Sequence, residues 1–535
     1  MTNLKDEHSP QRRRTAALVF LAVVVLGVVL YTADMPGNPP GFYIDESSIA
    51  YNAHLIATTG SDEHGTSWPL FFRAFGDYKN PVYVYLLAAL FRLTGPSIVA
   101  ARLLSVALGL LAALALGLLA ARLTKRREAA PLVALSALLT PWLFELSRVV
   151  IEVALYPLAV ALFLLCVHRA ASAGRWTWGD AARLAATLAL LTYSYSVGRL
   201  LGPLLALGLA LFATRANLLR IFRVWLVYAL SLVPLFVYGW RHPGVLTGRF
   251  QAITYLSPQS TSAETALEFL KHYSGNLDVW RLLVTGDPNV NQIASIHGVT
   301  LVLAATFALS LAGAWLALRR GTRDAAGRRW WLFVLYGLAA SVVPASLTNE
   351  YFHMLRLAAV PVFLLVLTAP AFAWLLEERA AHKRARRTAL ILLVSLTLAQ
   401  GAVFQWQYHA HARAPRRTYL FDSDYAEKIL APTLDAPQRP IYLADALAVP
   451  GYIHAYWHAT LRGAARAEFV LLAPDASPPV GALVISTEES CPRCRIIARR
   501  DPYTPRARGC GSRRRARRNP PRPRPRRRDG TLSRR

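Results

Sequence analysis

Apolar stretches of roughly 17–25 residues recur along this chain, and that is the length a helix needs to cross a bilayer. A chain of 535 residues built this way does not fold around one aqueous core. It is 54% hydrophobic and 17% charged, with a mean hydropathy of +0.31, whereas a soluble domain carries about 25% charged residues. We read about eleven spans, at 16–33, 98–121, 129–143, 150–168, 181–194, 199–213, 222–240, 297–318, 330–347, 354–376 and 388–404. The fold class is a polytopic α-helical membrane protein. The first run, Ala16 to Tyr31, follows Lys5 and Arg12 to Arg14 as a signal peptide would. No small-residue cleavage site comes after it, so it reads as a retained span.

Basic clusters test the assignment, because cytoplasmic loops carry the excess of Lys and Arg. They fall on one set of ends: Arg12 to Arg14; Arg122 with Lys125 to Arg127; Arg169 and Arg175; Arg215, Arg220 and Arg223; Arg319 to Arg329; and Arg379 to Arg387. The N-terminus (1–15) is thus expected inside and, with an odd number of spans, the C-terminal region outside. Placed in a bacterium, the chain belongs in the cytoplasmic (inner) membrane. Two outer loops, 34–97 and 241–296, interrupt the membrane domain of 16–404. The run PVYVYLLAALFRL in the first is too short to span and is placed at the interface. Beyond 405, IYLAD, EFVLLA and GALVIST read as buried strands with the helix GYIHAYWHATLRG between the first two, giving a small outer α/β domain to about 505.

The net charge of +29 is inflated by 506–535, which holds fourteen arginines against one aspartate. Such Arg/Pro tracts are expected to be disordered. On the outer side this tail meets solvent or anionic lipid, so no nucleic-acid partner is expected. Cys491 and Cys494 form a single CPRC, compatible with a local disulfide or with two thiols. A structural zinc site needs a further pair, and none is evident.

Charge at the outer mouth is where chemistry is expected, since ionisable groups against a bilayer are costly unless they act there. Asp45 and Glu46 open a helix in GFYIDESSIAYNA. A cap needs only one acid; a second could take a proton from an incoming hydroxyl. GDYKNP supplies Asp77, Tyr78 and Lys79, the lysine suited to a phosphate leaving group. In FELSRVVIEVALYP, Glu145, Arg148 and Glu152 have the spacing of one helix face, with Glu152 set to face the first carboxylates. Tyr193, Tyr195 and Arg199 lie at one outer span end, and Glu350, His353 and Arg356 at another. Arginines there could bind phosphate and aromatic rings could stack on a sugar. No cofactor is required by these residues; Asp, Glu and His together are compatible with a divalent metal, but no spacing demands one.

This pattern resembles the GT-C glycosyltransferases that use a polyprenyl-phosphate-linked sugar, above all bacterial members of the protein O-mannosyltransferase and aminoarabinose-transferase superfamily. The matching elements are the Asp45–Glu46 pair after the first span, Asp77-Tyr78-Lys79-Asn80-Pro81 in the same loop, and Glu152 entering the fourth span. The outer Tyr/Arg ends and Gly286-Asp287-Pro288-Asn289 before a later span also fit. The likeness covers about 16–405. It implies a GT-C-like membrane domain, a polyprenyl-phosphate sugar donor, a lipid, glycan or protein acceptor, and inversion at the anomeric carbon. By the same likeness Asp45 is the main catalytic carboxylate, with Glu46 beside it. Lys79 and Arg356 take the donor phosphate. Glu152 is a further catalytic carboxylate on the cavity wall, and Asp77, Tyr78, Arg148, Tyr193, Tyr195, Arg199 and His353 line the cavity. The chain has DYKNP where the aminoarabinose transferases have an acid directly before the lysine and two prolines after it, so their sugar and acceptor are not carried over. The alternative is a transporter or flippase for lipid-linked sugars.

Overall fold

The computed structural model describes residues 10–75, 77–173, 175–320, 325–377, 382–444, 451–473, 476–486, 491, 494–499 and 531–534. Two compact units are present, one of Met1–Met35 with Asn52–His409, the other of Pro36–Tyr51 with Ala410–Arg535.

The first unit is almost wholly helical. Its helices are α1 (Pro10–Thr32), the later turns of α2 (Ile44–Thr59), α3 (Pro81–Thr94), α4 (Ile98–Thr124), α5 (Ala129–Leu139), α6 (Pro141–Leu146), α7 (Tyr156–Ser172), α8 (Trp178–Ser194), α9 (Gly198–Gly208), α10 (Leu218–Ser231), α11 (Val233–Arg241), α12 (Gly248–Ile253), α13 (Ser262–Asn276), α14 (Ala304–Arg320), α15 (Ala325–Ser346), α16 (Val360–Leu375) and α17 (Lys383–Ala410). A hairpin of β1 (Phe72–Ala74) and β2 (Asp77–Lys79) precedes α3. Among the described residues five helical segments are long and apolar enough to cross a membrane: Arg13–Thr32, Ile98–Thr124, Glu152–Ser172, Leu218–Arg241 and Lys383–Ala410. Leu18, Leu21, Val29, Phe222, Phe236 and Leu392 on three of them expose large apolar side chains, the surface expected against lipid.

Local signals set the ends. Ser97 caps α4, and Thr177 with Asp180 forms a capping box on α8. Pro141 ends α5 and starts α6; Pro234 likewise separates α10 from α11. Buried α16 packs closely on α14, where Ser310 donates across to the Leu364 carbonyl at 2.8 Å. A Cβ on Gly313 would stand 1.7 Å from the Leu367 oxygen, so only glycine permits this approach.

Glu145, Arg148 and Glu152 do not share one helix, contrary to the spacing. Helix α6 stops at Leu146, the chain turns, and Glu152 opens a separate 3₁₀ turn to Leu155. The β-branched run Val149-Val150-Ile151 favours extended backbone, which Ile151 adopts, and Pro157 starts the next helix. The span expected at 129–143 is therefore broken at Thr140.

In the second unit, α2 begins at Ile44 with Asp45 and Glu46 in its first turn, as expected. The described strands are β3 (Ile441–Ala444), β4 (Phe469–Leu471), β5 (Leu483–Ser486), β6 (Arg495–Arg499) and β7 (Thr531–Arg534), in the order β4-β3-β5-β7-β6. Strands β4, β3 and β5 run parallel, with α18 (Tyr452–Leu461) between β3 and β4 in the chain, and β7 is antiparallel to β5 and β6. The tail expected to be disordered lies outside the described residues except for Thr531–Arg534. Cys491 and Cys494 are joined by a disulfide.

Candidate active site

The hairpin before α3 brings charge to the mouth of the first unit. Its register pairs Ala74 with Asp77 and Phe72 with Lys79, so Asp77–Lys79 forms the returning strand. Asn80, 2% exposed, donates its backbone N–H to the Glu152 carboxylate and accepts from Arg199 Nη2 at 3.2 Å. Arg199 also donates to the Leu246 carbonyl at 3.1 Å and lies over the Phe71 ring. One asparagine thus ties the lysine segment to α7 and α9. Lys79 Nζ stands 5.6 Å from the Phe75 ring centroid. Tyr78 and Tyr193 pack against Phe71, Leu235 and Val245, and Tyr193 donates to the Ser231 carbonyl at 2.9 Å.

Arg249 adds a cation that the sequence reading missed. Its Nε is 3.7 Å from Asp77 Oδ2, and both side chains are largely open to solvent. Its sequence signal was weak, because the same outer loop also holds Arg241, Lys271 and Arg281. Tyr195, just past α8, lies in the same electrostatic neighbourhood. Burial drives its hydroxyl pKa up to about 12, with Arg356 and Arg249 opposing and Glu152 and Asp77 adding to the rise.

The segment NEYFHMLR supplies the other wall. Arg356 Nη1 is 2.7 Å from Glu350 Oε2 and donates to Thr348 Oγ1 at 2.9 Å. His353 Nε2 is 3.6 Å from Glu350. Burial first, then Arg356 and Arg249, hold the His353 pKa down to about 3, so its ring is neutral. The GDPN segment braces this wall: Asp287 accepts from the Met354 and Asn289 N–H groups at 2.8 and 2.9 Å, and Asn289 donates to Glu350 at 3.2 Å. Burial raises the Asp287 pKa against those hydrogen bonds.

Hydrogen bonds, ion pairs and electrostatic coupling thus bring Asp77, Glu152, Tyr195, Arg199, His353 and Arg356 together with Arg249. Arg148 is used elsewhere: its guanidinium donates to the Tyr31 carbonyl and, at 2.8 Å, to that of Ala33, satisfying the end of α1. Glu145 accepts from the Ile296 N–H at 2.8 Å. Asp45 and Glu46 belong to the second unit. There Glu46, fully buried, accepts from the Tyr43 N–H at 2.8 Å, while Asp45 is half-buried. Among the described residues no three His, Cys, Asp or Glu side chains converge as a metal site.

Residues 78–240 match the family described as dolichyl-phosphate-mannose-protein mannosyltransferase. The fold is similar to that of two kinds of solved membrane protein, ArnT and AglB. ArnT from Cupriavidus metallidurans, in a crystal structure bound to undecaprenyl phosphate, superposes with a TM-score of 0.57 at 14% identity, covering 90% of this chain and 96% of that one. Its apo structure gives 0.55 at 15% identity over the same shares. The archaeal oligosaccharyltransferase AglB from Archaeoglobus fulgidus, in complex with an inhibitory peptide and a dolichol-phosphate, gives 0.50 at 13% identity, covering 90% of this chain and 70% of that one. No curated protein matches the chain by sequence. The family resemblance read from the DE pair, DYKNP and Glu152 is the one these matches return, and the chain is a multi-pass membrane protein.

Proposed function

We propose that the protein is a membrane glycosyltransferase that moves a sugar from a polyprenyl-phosphate donor to an acceptor hydroxyl at the outer face of the cytoplasmic membrane. The observation that carries this is the mouth of the first unit, where Arg199, Arg249 and Arg356 gather around Asp77 and Glu152 beside the lysine hairpin. A single phosphate group, a diester in the donor and a monoester once the sugar has left, is the ligand such a set suits: a point-charge lysine with forked arginines, partly compensated by the carboxylates. Residues 78–240, which include Lys79, Glu152 and Arg199, match a mannosyltransferase family, and ArnT, of similar fold, was crystallised with undecaprenyl phosphate.

In this reading Asp45 accepts the proton of the acceptor hydroxyl as its oxygen attacks the anomeric carbon. The bond from that carbon to the phosphate oxygen breaks from the opposite face, giving inversion. Polyprenyl phosphate leaves, its charge held by Lys79 and Arg356 with Arg249 assisting. Glu46 sets the turn that presents Asp45. Glu152 is the second carboxylate, placed to offset positive charge developing on the sugar, and Asp77, Tyr78, Tyr193, Tyr195, Arg199 and neutral His353 shape the cavity. Arg148 we assign to the scaffold. The basic clusters support about eleven spans, with the N-terminus inside and residues 405–505 as an outer α/β domain.

The test is transfer in membranes from radiolabelled undecaprenyl-phosphate mannose, glucose and arabinose. Wild type should transfer from one of them, and Asp45→Asn at equal expression should lose turnover by on the order of 100-fold or more. No transfer from any donor, together with no binding of undecaprenyl phosphate, refutes the reading.

A further inference from the structure

Within the second unit a hydrogen-bonded chain, buried at Ser47 and His454, joins residues far apart in sequence. Ser47 Oγ lies 2.9 Å from His454 Nδ1, and His454 Nε2 lies 3.1 Å from Asp422 Oδ2. Ser47 is fully buried and His454 is 3% exposed. A carboxylate only accepts, so Asp422 fixes the proton on Nε2, and Nδ1 then accepts the Ser47 hydroxyl proton. The residue types are those of a nucleophilic triad, but a serine with no exposed surface meets no substrate. The chain holds structure instead.

What it holds is the first turn of α2. Ser47 is two residues past Asp45 and one past Glu46, and its N–H bonds to the Tyr43 carbonyl at 3.0 Å. Helix α18 grips the same segment at two more points. Trp457 stacks on Phe42 with centroids 5.8 Å apart, and Tyr456 meets Tyr51 at 5.6 Å. The two apolar contacts fix where the segment lies. The directional bond from His454 constrains the rotation of this first turn, on which Asp45 lies two residues before Ser47.

We propose that His454, oriented by Asp422, is a positioning residue for the reaction. The C-terminal part of the chain then sets the geometry of the Asp45–Glu46 turn rather than serving only to select an acceptor. This rests on the reading of Asp45 as the base. A small rotation of a carboxylate is enough to matter, because about 1 Å of misplacement costs on the order of 100-fold in rate.

The test compares His454→Ala, His454→Asn and Asp45→Asn in the full-length protein. Sugar transfer from the undecaprenyl-phosphate donor that wild type uses is measured alongside binding of undecaprenyl phosphate alone and the melting temperature. His454→Ala should lower kcat by on the order of 10- to 100-fold while the donor KM and undecaprenyl phosphate affinity stay unchanged. His454→Asn keeps an acceptor near the Nδ1 position and should recover much of the rate. The positioning role is overturned if His454→Ala turns over like wild type while Asp45→Asn is inactive. It is equally overturned if Asn rescues nothing, or if kcat, affinity and melting temperature all fall together. Full turnover by Asp45→Asn would instead remove the base, and this inference with it.

Discussion

Replacing Glu152 by Gln and by Ala separates two things its carboxylate does. It accepts the Asn80 N–H, and it carries negative charge beside Arg199 and Tyr195. Glutamine has the same length and a carbonyl oxygen, so the bond to Asn80 survives while the charge goes. Alanine removes both. Asn80 is 2% exposed, so the N–H orphaned by alanine finds no water and costs about 1–3 kcal/mol. At about 2–4 °C per kcal/mol for a large domain, Glu152→Ala should melt several degrees below wild type. It should also bind donor poorly, because Asn80 adjoins Lys79 and anchors Arg199. Glu152→Gln should melt close to wild type and keep its affinity for undecaprenyl phosphate, since losing an anion makes the mouth more positive. Its kcat should still fall on the order of 10- to 100-fold, because a fixed carboxylate no longer faces the developing charge. Melting in detergent, undecaprenyl phosphate binding and transfer kinetics give the three readouts. If Gln turns over like wild type, Glu152 is a bracket for the hairpin and its charge is not used. If Gln melts as low as Ala, the Asn80 bond is not what stabilises the site.

Lys79→Ala and Arg356→Ala should each weaken undecaprenyl phosphate binding about 10-fold or more, with the wild-type affinity itself falling as salt rises; unchanged affinity in both removes them from the phosphate site. Arg249→Ala should have a smaller effect of the same sign, because its pair with Asp77 is long and exposed; an effect larger than that of Arg356→Ala would reverse the ranking. His353, ordinarily near pH 6.5 and held at about 3 when folded, takes up its proton first in the unfolded chain. Its contribution to stability is full above about pH 6.5 and is lost as pH falls toward 3, by up to about 1.4 kcal/mol per pH unit. Melting temperature should therefore drop between pH 7 and pH 5, and His353→Gln should flatten that drop; an unchanged slope refutes the assignment.

Much of this architecture was legible because its causes are local. Apolar length gave the helices, the acids at Asp45 and Glu46 marked the start of α2, and short β-rich runs gave β3, β4 and β5 with α18 between the first two. The misread stretch was 145–152, where spacing alone suggested one helix face. Periodicity does not reveal that three polar groups find partners in three directions: the Ile296 N–H, the end of α1, and Asn80. Nor could it show that Asn80, a plain loop residue in sequence, is the joint between hairpin, α7 and α9. Ser47 and His454 are 407 positions apart, and their meeting depends on the packing of Phe42 on Trp457.

The placement of charge also argues between transfer and transport. Glu152 opens the turn into α7, Tyr195 follows α8, and Arg199 sits in the first turn of α9. The hairpin with Lys79 precedes α3, and Arg356 precedes α16. Since α7, α8 and α9 succeed one another with short connections, the start of α7, the end of α8 and the start of α9 share one face. The basic residues Arg169, Arg175, Arg215 and Arg220 mark the opposite ends of the same helices. Between these ends the sequence carries no Asp, Glu, Lys or Arg in 153–167, 184–198, 200–214, 224–240, 330–349 or 357–376, nor in the apolar middles of α1, α4 and α17. A protein that carries an anionic headgroup across the bilayer must stabilise it at mid-depth, with ionisable side chains or broken helix ends. Here stabilisation of that kind is concentrated at one end. A lipid phosphate can be met at that face with its chain still in the membrane and its sugar handed to an acceptor from the aqueous side, which is transfer without passage.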